Sequence, residues 1–461
     1  MPLVVALVVT AGVVVGYVVH RDHTSAGAAP LPTASGSPAP VPSSPAPRGA
    51  VLPALQASAP EPTSAGVTLQ LAADAHQLQR SAHLAGEVID ADTGTALWAH
   101  SPGAPEPPAS TTKLLTAAAA LTALGPNDRL VTSTAASGHT LYLVGGGDPT
   151  IVANRHSVYS PVYPRPATLA ALAHRTAAAL GSVHRVHLKL DVSKWTGPRA
   201  AVGWKPSYVT EGDITPPSPL EVNEGRTDPS DEFAPRTPNP AEQAGQVFAG
   251  LLEHDGVRVV GAVTGGTAPA GTPELAHVDS PPVSALVQRM LTVSDDDLAE
   301  ALGRAVAIEA GLPASFAGAA QAVLAQVRSL GVSVTSVTLH DTSGLSHRDR
   351  ITPRTLVDLL RAATASTHRD LRWILEGLPV AGLTGTLADR YQVKPSVTAR
   401  GIVRAKTGTL TGVNTLAGTV VDRSGRLLVF AFMASHAALP GLTVPDLDDL
   451  AARLARCGCG G

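Results

Sequence analysis

The amino-acid sequence predicts a mixed α/β fold in which strands and helices both contribute to the core. Two apolar runs at 83–90 and 94–98 are separated by turn-forming residues and predict a pair of strands. A second pair is predicted at 416–421 and 427–433, around an Asp-Arg-Ser-Gly turn. Between the two pairs, the apolar segment 110–124 begins after Pro-Pro-Ala and ends before Gly-Pro, which are boundary signals of a helix.

The composition indicates a large globular region and excludes several classes of function. The chain has 461 residues, of which 44% are hydrophobic and 15% are charged, so it can bury a large core and form two or three domains. A formal net charge of −3 supplies no positive field, and we predict no nucleic-acid partner. The 16 histidines form no His-Glu-x-x-His motif or comparable spacing, so we predict neither a metal site nor a cofactor.

The first 66 residues are predicted to tether the folded region. Residues 1–24 contain an unbroken apolar run that is long enough to cross a bilayer, which predicts an N-terminal membrane anchor with a transmembrane helix. A cleaved signal peptide remains an alternative, because a small-x-small site follows at Ala26-Gly27-Ala28. Residues 25–66 are rich in Pro, Ala and Ser and predict a semi-extended linker.

The only two cysteines, Cys457 and Cys459, lie in a Cys-Gly-Cys-Gly-Gly tail at 457–461. They are too close in sequence to link distant parts of the chain, and the tail supplies no further metal ligands. We therefore predict a disordered tail. The lack of cysteine elsewhere in the sequence suits export, because no thiol is left to mispair in an oxidising compartment.

Ser110 and Lys113 form a Ser-x-x-Lys motif at the start of the predicted helix. Residues three apart on a helix share one face, so the lysine amine can reach the serine hydroxyl. A serine hydroxyl attacks poorly unless a base takes its proton, and lysine acts as that base only where burial or nearby cations favour its neutral form. Ser110 is therefore a candidate nucleophile and Lys113 its candidate base. Taken alone, the motif also fits a helix cap beside a solvated lysine.

A Lys-Thr-Gly motif lies on a strand predicted at 401–410. Such a strand can place its backbone beside an extended peptide. Lys406 and the hydroxyls of Thr407 and Thr409 would then meet a terminal carboxylate, and Gly408 would let the backbone of the ligand approach closely. These residues are candidate substrate-binding groups.

A third motif, Ser294-Asp295-Asp296, lies between the other two and precedes a predicted helix. Asp295 and Asp297 suit the N-terminus of that helix, where acidic side chains are favourable. Ser294 and Asp296 are candidate catalytic residues only through the family resemblance that the three motifs carry together.

In this order, the motifs resemble those of the class C low-molecular-mass penicillin-binding proteins, the D-alanyl-D-alanine carboxypeptidase and endopeptidase family (peptidase S13). The likeness extends over about 86–436 and includes further segments: Pro108-Ala109-Ser110, Gly146-Gly147-Asp148-Pro149-Thr150, Asp341-Thr342-Ser343-Gly344-Leu345-Ser346 and Leu378-Pro379-Val380-Ala381-Gly382.

The resemblance implies a penicillin-binding transpeptidase or β-lactamase-like domain, in which helices flank a sheet, with an inserted and partly β domain. We assign residues 67–131 and 278–456 to the catalytic domain and residues 132–277 to the inserted domain. The implied substrates are peptidoglycan stem peptides, and β-lactams are the implied covalent inhibitors. The implied location is the extracytoplasmic face of the plasma membrane, or the cell-wall space if the N-terminal segment is removed.

The resemblance also implies a role for each motif residue. Ser110 attacks the carbonyl of the penultimate D-alanine, and Lys113 is its general base. The backbone N–H groups of Ser110 and Thr409 form the oxyanion hole. Ser294 relays a proton to the leaving amine, and Lys406 stabilises that relay and attracts the substrate carboxylate.

Asp296 stands where the family motif has asparagine. An ionised aspartate only accepts hydrogen bonds, and near Lys113 it favours the charged ammonium, which is a poorer base. The sequence therefore leaves three functions open: a serine carboxypeptidase or endopeptidase, a non-catalytic or weakly active tethered peptidoglycan-binding protein, and a β-lactamase-like hydrolase.

Overall fold

The computed structural model describes residues 59–156, 165–231, 233–438 and 441–459. These residues belong to one compact unit. The predicted anchor at 1–24 and the linker up to residue 58 lie outside the described residues. None of the helices within the described ranges combines the length and hydropathy that a membrane span requires.

The secondary structure alternates between strands and helices along the chain. The strands are β1 (His83–Asp90), β2 (Ala96–His100), β3 (Val131–Ser137), β4 (Thr140–Val144), β5 (Arg185–Asp191), β6 (Arg258–Val259), β7 (Thr264–Gly265), β8 (Glu274–Asp279), β9 (Arg404–Leu410), β10 (Val413–Val421) and β11 (Leu427–Ser435). The α-helices are α1 (Ser64–Gln79), α2 (Lys113–Ala123), α3 (Leu169–Leu180), α4 (Tyr208–Glu211), α5 (Pro240–His254), α6 (Val283–Val293), α7 (Asp296–Glu309), α8 (Phe316–Ser329), α9 (Pro353–Thr364), α10 (Arg372–Gly377) and α11 (Val444–Arg456).

The first sheet joins both ends of the folded region. Its strand order is β2-β1-β11-β10-β9, and neighbouring strands are antiparallel. The strand pairs predicted from the apolar runs are confirmed as β1 with β2 and as β10 with β11. β9, which carries the Lys-Thr-Gly motif, lies at one edge of this sheet.

Helices cover both faces of the first sheet, as predicted. Alternate residues of a strand point to opposite faces, so β11 contributes to two cores. Phe430 and Phe432 pack in a cluster with side chains of α1 and α11, whereas Ala431 and Met433 pack in a larger cluster with α2 and α6–α9. α2 is buried along most of its length because alanine and leucine dominate its sequence.

The second sheet is formed by strands between the first and second motifs. Its order is β6-β5-β4-β3-β8, and β7 also pairs with β5. Helices α3 and α5 contribute Leu172, Phe248 and Leu252 to its core. The sheet falls in the part of the sequence assigned to the inserted domain, and the limits given above stay a prediction.

The two ends of the folded region differ from the sequence prediction. α1 begins at Ser64, within the predicted linker, and Thr63 caps it by accepting a hydrogen bond from the N–H of Gly66. Residues 457–459 are ordered, whereas we predicted a disordered tail. Cys457 is completely buried and forms a disulfide bond with Cys459. Spacing alone could not show that the tail packs against another part of the chain.

Candidate active site

A short 3₁₀ turn, Ala109–Thr112, carries Ser110, and α2 begins only at Lys113. We predicted that the helix begins at Ser110. The tighter turn has three residues per turn, so side chains three apart lie almost directly above one another. Lys113 Nζ therefore lies 3.0 Å from Ser110 Oγ. The structure brings the candidate nucleophile and the candidate base together.

The residues around this turn hold it tightly. Ala109 has a φ of +48°, in the left-handed region that is unfavourable for residues other than glycine. Gly344 packs against it so closely that a Cβ atom at residue 344 would lie 2.0 Å from the carbonyl oxygen of Ala109. Ala109 is also buried against Leu410 and Val413. These contacts fix the position of the neighbouring Ser110.

The Lys113 amine is completely buried and donates three hydrogen bonds. Its acceptors are Ser110 Oγ at 3.0 Å, Asp296 Oδ1 at 2.6 Å and the carbonyl oxygen of Ser343 at 2.7 Å. The amine is thus within hydrogen-bonding distance of a hydroxyl, a carboxylate and a backbone carbonyl oxygen at once.

Asp296 is the acidic partner of Lys113. Burial raises the pKa of the Asp296 carboxyl above its ordinary value, although the charge of Lys113 opposes that shift. The charge of Lys406 acts in the same direction as that of Lys113 and also lowers the pKa of Asp296. The aspartate is thus part of a charged cluster with both motif lysines.

Ser294 and Lys406 form a second serine–lysine pair. Ser294 lies in the turn between α6 and α7 with a φ of +63°. Lys406 is completely buried, and its Nζ donates to Ser294 Oγ and to the carbonyl oxygen of Thr407, both at 2.8 Å. Burial, together with the nearby charge of Lys113, lowers the pKa of Lys406 well below its ordinary value.

The exposed edge of β9 presents backbone groups beside these pairs. The N–H of Ala405 points away from β10 and donates to the carbonyl oxygen of Pro379 at 3.0 Å. Alternate N–H groups of a strand point the same way, so those of Thr407 and Thr409 also face this edge. The Thr407 hydroxyl lies 2.8 Å from that of Thr386, whereas the Thr409 side chain is exposed. The placement suits the predicted role of Thr409 in an oxyanion hole.

Gly408 is also required by the packing of the fold. Its role in admitting the backbone of a ligand stays a prediction. A Cβ atom at this position would lie 2.2 Å from Thr415 Oγ1 and 2.9 Å from the carbonyl oxygen of Pro108. Glycine is required here because β9 packs directly against the turn that carries Ser110.

Sequence reasoning missed the group that orients the third acceptor of Lys113. Glu300 Oε1 accepts hydrogen bonds from the N–H groups of Thr342 and Ser343, each at 2.9 Å. Arg304 pairs with the same carboxylate at 2.8 Å. The available signal was the spacing of Asp296 and Glu300, which lie four residues apart and hence on one face of α7.

The region between the first two motifs also reaches the site. Lys205 Nζ donates to Thr411 Oγ1, directly after β9, and Trp204 Nε1 donates to Asp341 Oδ2 at 2.7 Å. Tyr208 OH donates to the carbonyl oxygen of Leu345 at 3.2 Å. No motif pointed to these residues.

The sequence matches the model of the D-Ala-D-Ala carboxypeptidase 3 (S13) family over residues 67–235 and 230–454. The chain belongs to this family. It is 38% identical to the carboxypeptidase DacB of Mycolicibacterium smegmatis, in an alignment that covers 99% of this chain and 95% of that protein. The resemblance inferred from the motifs is therefore confirmed.

Two solved structures share the fold of this chain. Penicillin binding protein 4 of Haemophilus influenzae superposes with a TM-score of 0.69 and 20% identity, covering 82% of this chain and 97% of that one. The same protein complexed with a β-lactam gives a TM-score of 0.65 and 19% identity, with the same coverage. The predicted penicillin-binding fold is confirmed, and membership of the S13 family makes the protein a hydrolase of the D-alanyl-D-alanine carboxypeptidase class.

Proposed function

We propose that this S13 protein removes the terminal D-alanine from peptidoglycan stem peptides through an acyl-enzyme on Ser110. The observation that carries the proposal is the 3.0 Å contact between Ser110 Oγ and Lys113 Nζ. A second serine–lysine pair, Ser294 with Lys406, lies in the same cluster. The two pairs provide a nucleophile, a base and a route for returning a proton.

The reaction follows from the placement of these groups. Ser110 Oγ attacks the carbonyl carbon of the penultimate D-alanine, and its proton passes to the neutral amine of Lys113. Backbone N–H groups of Ser110 and Thr409 stabilise the oxyanion. As the C–N bond breaks, Ser294 delivers its hydroxyl proton to the leaving D-alanine amine and is reprotonated through Lys406. Lys406 takes up in turn the proton that Lys113 removed from Ser110, so Lys113 is again able to accept a proton when water attacks the ester. Water then cleaves the ester, which releases the shortened peptide and restores the Ser110 hydroxyl.

Mass spectrometry of the full chain after incubation with benzylpenicillin tests the acyl-enzyme. We expect a gain of one penicillin mass on a peptide that contains Ser110 and no gain in Ser110→Ala. The β-lactam complex of the H. influenzae protein supports this choice of probe. An unmodified protein that is folded by circular dichroism would overturn the proposal, and rapid release of hydrolysed penicillin would favour a β-lactamase-like activity.

The same chemistry can cleave a cross-link if the leaving amine belongs to a second stem peptide. We favour carboxypeptidase activity because the M. smegmatis relative carries that name. Purified pentapeptide and cross-linked dimer, supplied in parallel, separate the two. We expect release of free D-alanine from the pentapeptide; cleavage of the dimer alone would instead identify an endopeptidase.

A tethered peptidoglycan-binding protein with little catalysis is the second candidate. The 2.6 Å contact of Lys113 Nζ with Asp296 Oδ1 favours it, because a carboxylate occupies the place of the family asparagine and engages the amine that would act as the base. Asp296→Asn removes that carboxylate. If the second candidate is correct, acylation by penicillin is absent in the unaltered protein and appears in this variant. Acylation of the unaltered protein on Ser110 would exclude it.

We also infer that the protein works at the extracytoplasmic face of the plasma membrane. The apolar run within residues 1–24 is long enough for an anchor, and the disulfide bond of Cys457 with Cys459 suits an oxidising compartment. Membrane fractionation with N-terminal sequencing tests this placement. An intact N-terminus in the membrane fraction is expected; a mature protein that begins near Ala28 in the soluble fraction would show secretion to the cell-wall space.

A further inference from the structure

A chain of buried charges connects the region between the first two motifs to the Ser294 turn. Glu224 lies in the 3₁₀ turn Asn223–Gly225 and is 5% exposed. Its carboxylate pairs with Arg289 Nη2 of α6. Arg289 Nε in turn contacts Asp295 Oδ2 at 3.2 Å. One guanidinium group therefore bridges Glu224 and the middle residue of the Ser-Asp-Asp motif.

A second connection runs beside the first. Asp297 Oδ1 accepts a hydrogen bond from the N–H of Thr215 at 2.9 Å. Thr215 Oγ1 donates to the carbonyl oxygen of Glu224 at 2.8 Å, and Arg236 Nη2 lies 3.8 Å from Asp297 Oδ2. The residues on both sides of Asp296 are thus held by the same part of the chain.

The Ser294 turn needs such support. Ser294 is in the left-handed region, which is costly for a residue with a Cβ atom and persists only where the surroundings hold it. The same turn directs Ser294 towards Lys406 and Asp296 towards Lys113. A small rotation of the turn would therefore disturb both serine–lysine pairs together.

These carboxylates are close enough to hold a cation, but arginine side chains already engage them. Ligand atoms of Glu224, Asp295 and Asp297 lie within 4.8 Å of one another. Arg289 contacts the first two, and Arg236 lies near the third. The geometry favours a structural role in which arginine supplies the positive charge.

We propose that Glu224 is a positioning residue for the Ser294-Asp295-Asp296 motif and acts through Arg289 and Asp295. The proposal rests on the acyl-enzyme function described above. It makes the region between the first two motifs part of the catalytic apparatus, although Glu224 touches none of the reacting groups. Asp295 contributes both as this link and as the N-cap of α7, where Oδ1 accepts from the N–H of Leu298 at 2.9 Å.

Glu224→Gln in the full chain tests the proposal, because it keeps the size of the side chain and removes its charge. Stopped-flow kinetics with a chromogenic cephalosporin separate the acylation rate constant from the dissociation constant of the non-covalent complex. We expect the rate constant to fall about 10- to 100-fold, as for other small misplacements of catalytic groups, with the dissociation constant changed less than about twofold. Arg289→Lys keeps the positive charge but cannot bridge two carboxylates. We expect its acylation rate constant to fall less than that of Glu224→Gln.

The matched control is Asp90→Asn, which removes a charge from the buried ion pair of Asp90 with Arg426. The other hydrogen-bond partners of the Asp90 carboxylate are the turn residues Asp92 and Thr93. We expect this variant to lose thermal stability without slower acylation.

Each outcome decides between the alternatives. Acylation of Glu224→Gln and Arg289→Lys at the unaltered rate would overturn the proposal and leave the acyl-enzyme function intact. Equal slowing in Asp90→Asn would also overturn it, because general destabilisation would then explain the effect. If Glu224→Gln does not fold, the acylation rate of Arg289→Lys tests the proposal alone, and an unaltered rate in that variant overturns it. If the unaltered protein is never acylated, the acyl-enzyme function and this proposal fail together.

Discussion

At the scale of single residues, the two site lysines differ in how their buried charges are compensated. Both side chains are completely buried, although lysine is rarely buried without an acidic partner. Lys113 has the Asp296 carboxylate at 2.6 Å, whereas Lys406 donates to a hydroxyl and a carbonyl oxygen. Burial and the charge of Lys113 lower the pKa of Lys406, which favours its neutral form. Lys406 is thus suited to exchange protons with Ser294.

Replacing Lys406 with methionine is expected to lower activity and to raise stability. The variant loses the proton relay to Ser294, and general acid–base groups contribute about 10²- to 10⁴-fold to rates. It also removes the cost of burying an amine that is protonated in the unfolded chain and must lose its proton or remain charged in the core. Acylation kinetics with a chromogenic cephalosporin and thermal unfolding measure the two effects. A lower melting temperature in this variant would contradict the second expectation.

The stability gain of Lys406→Met should depend on pH with a defined sign. Because the folded-state pKa is lowered, the unfolded protein binds more protons between that value and the ordinary lysine pKa of about 10.4. The free energy of unfolding of the unaltered protein therefore rises with pH through this window, and the variant shows a smaller rise. Lys394→Met, at an exposed lysine, controls for the loss of one charge. If the free energy of unfolding rises equally steeply with pH in the unaltered protein and in Lys406→Met, the pKa of Lys406 is not lowered in the folded state.

At the scale of secondary-structure elements, the site depends on how closely β9 approaches the 3₁₀ turn Ala109–Thr112. Thr415 of β10 donates from Oγ1 to the carbonyl oxygen of Pro108 at 2.9 Å, directly beneath Gly408. A hydrogen bond from β10 thus reaches the residue before the turn by passing the one position of β9 there that has no side chain. This approach places Lys406 and Ser110 in the same cluster.

Gly408→Ala should separate these two elements. The added Cβ would meet Thr415 Oγ1 at 2.2 Å, so β9 must move or the hydrogen bond to Pro108 must break. We expect a loss of about 1–3 kcal/mol of stability, typical of overpacking, together with slower acylation. Gly250→Ala on α5 is the matched control, because nothing lies within 4 Å of its added Cβ. That change should stabilise the protein by about 0.5–1 kcal/mol. If Gly408→Ala and Gly250→Ala change stability and acylation alike, the close packing of β9 against the turn that carries Ser110 does not explain the need for glycine at residue 408.

Features that depend on one element were predictable from the sequence, whereas contacts between elements were not. The spacing of Ser110 and Lys113 brings them together in either a 3₁₀ turn or an α-helix, so their contact was foreseen. The other acceptors of Lys113, Asp296 and Ser343, lie 183 and 230 residues further along the chain. Their meeting depends on how α7 and the loop between α8 and α9 pack around α2, and no local sequence pattern predicts that packing. The bridge from Glu224 through Arg289 was missed for the same reason.

At the scale of the whole molecule, the two ends of the folded region meet. β1 pairs with β11 from His83 opposite Ser435 to Asp90 opposite Leu428. α1 and α11 cover the same face of that sheet, and Arg453 pairs with Asp74 between them at 2.6 Å. Cys459 therefore lies beside Thr63, directly before α1 begins.

The disulfide-bonded tail should stabilise the first turn of α1 more than the protein as a whole. The carbonyl oxygen of Cys459 accepts hydrogen bonds from Thr63 N at 2.9 Å and from Thr63 Oγ1 at 3.1 Å. Only one residue lies between the cysteines, so their bond restricts the unfolded chain very little. Reduction with dithiothreitol is therefore expected to speed hydrogen exchange at 63–67 while the melting temperature changes by less than about 2 °C.

Cys459→Ser is the matched control for this prediction, because it cannot form the disulfide bond. Its exchange at 63–67 should already be fast and should not respond to dithiothreitol. A large fall in the melting temperature on reduction of the unaltered protein would show instead that the tail supports the whole fold. Such a fall is not expected, because the interior of α1 is held independently: Leu71 and Leu78 are completely buried in the core that α1 shares with the sheet and α11. Their burial does not require the bond between the cysteines, so the effect of reduction stays local.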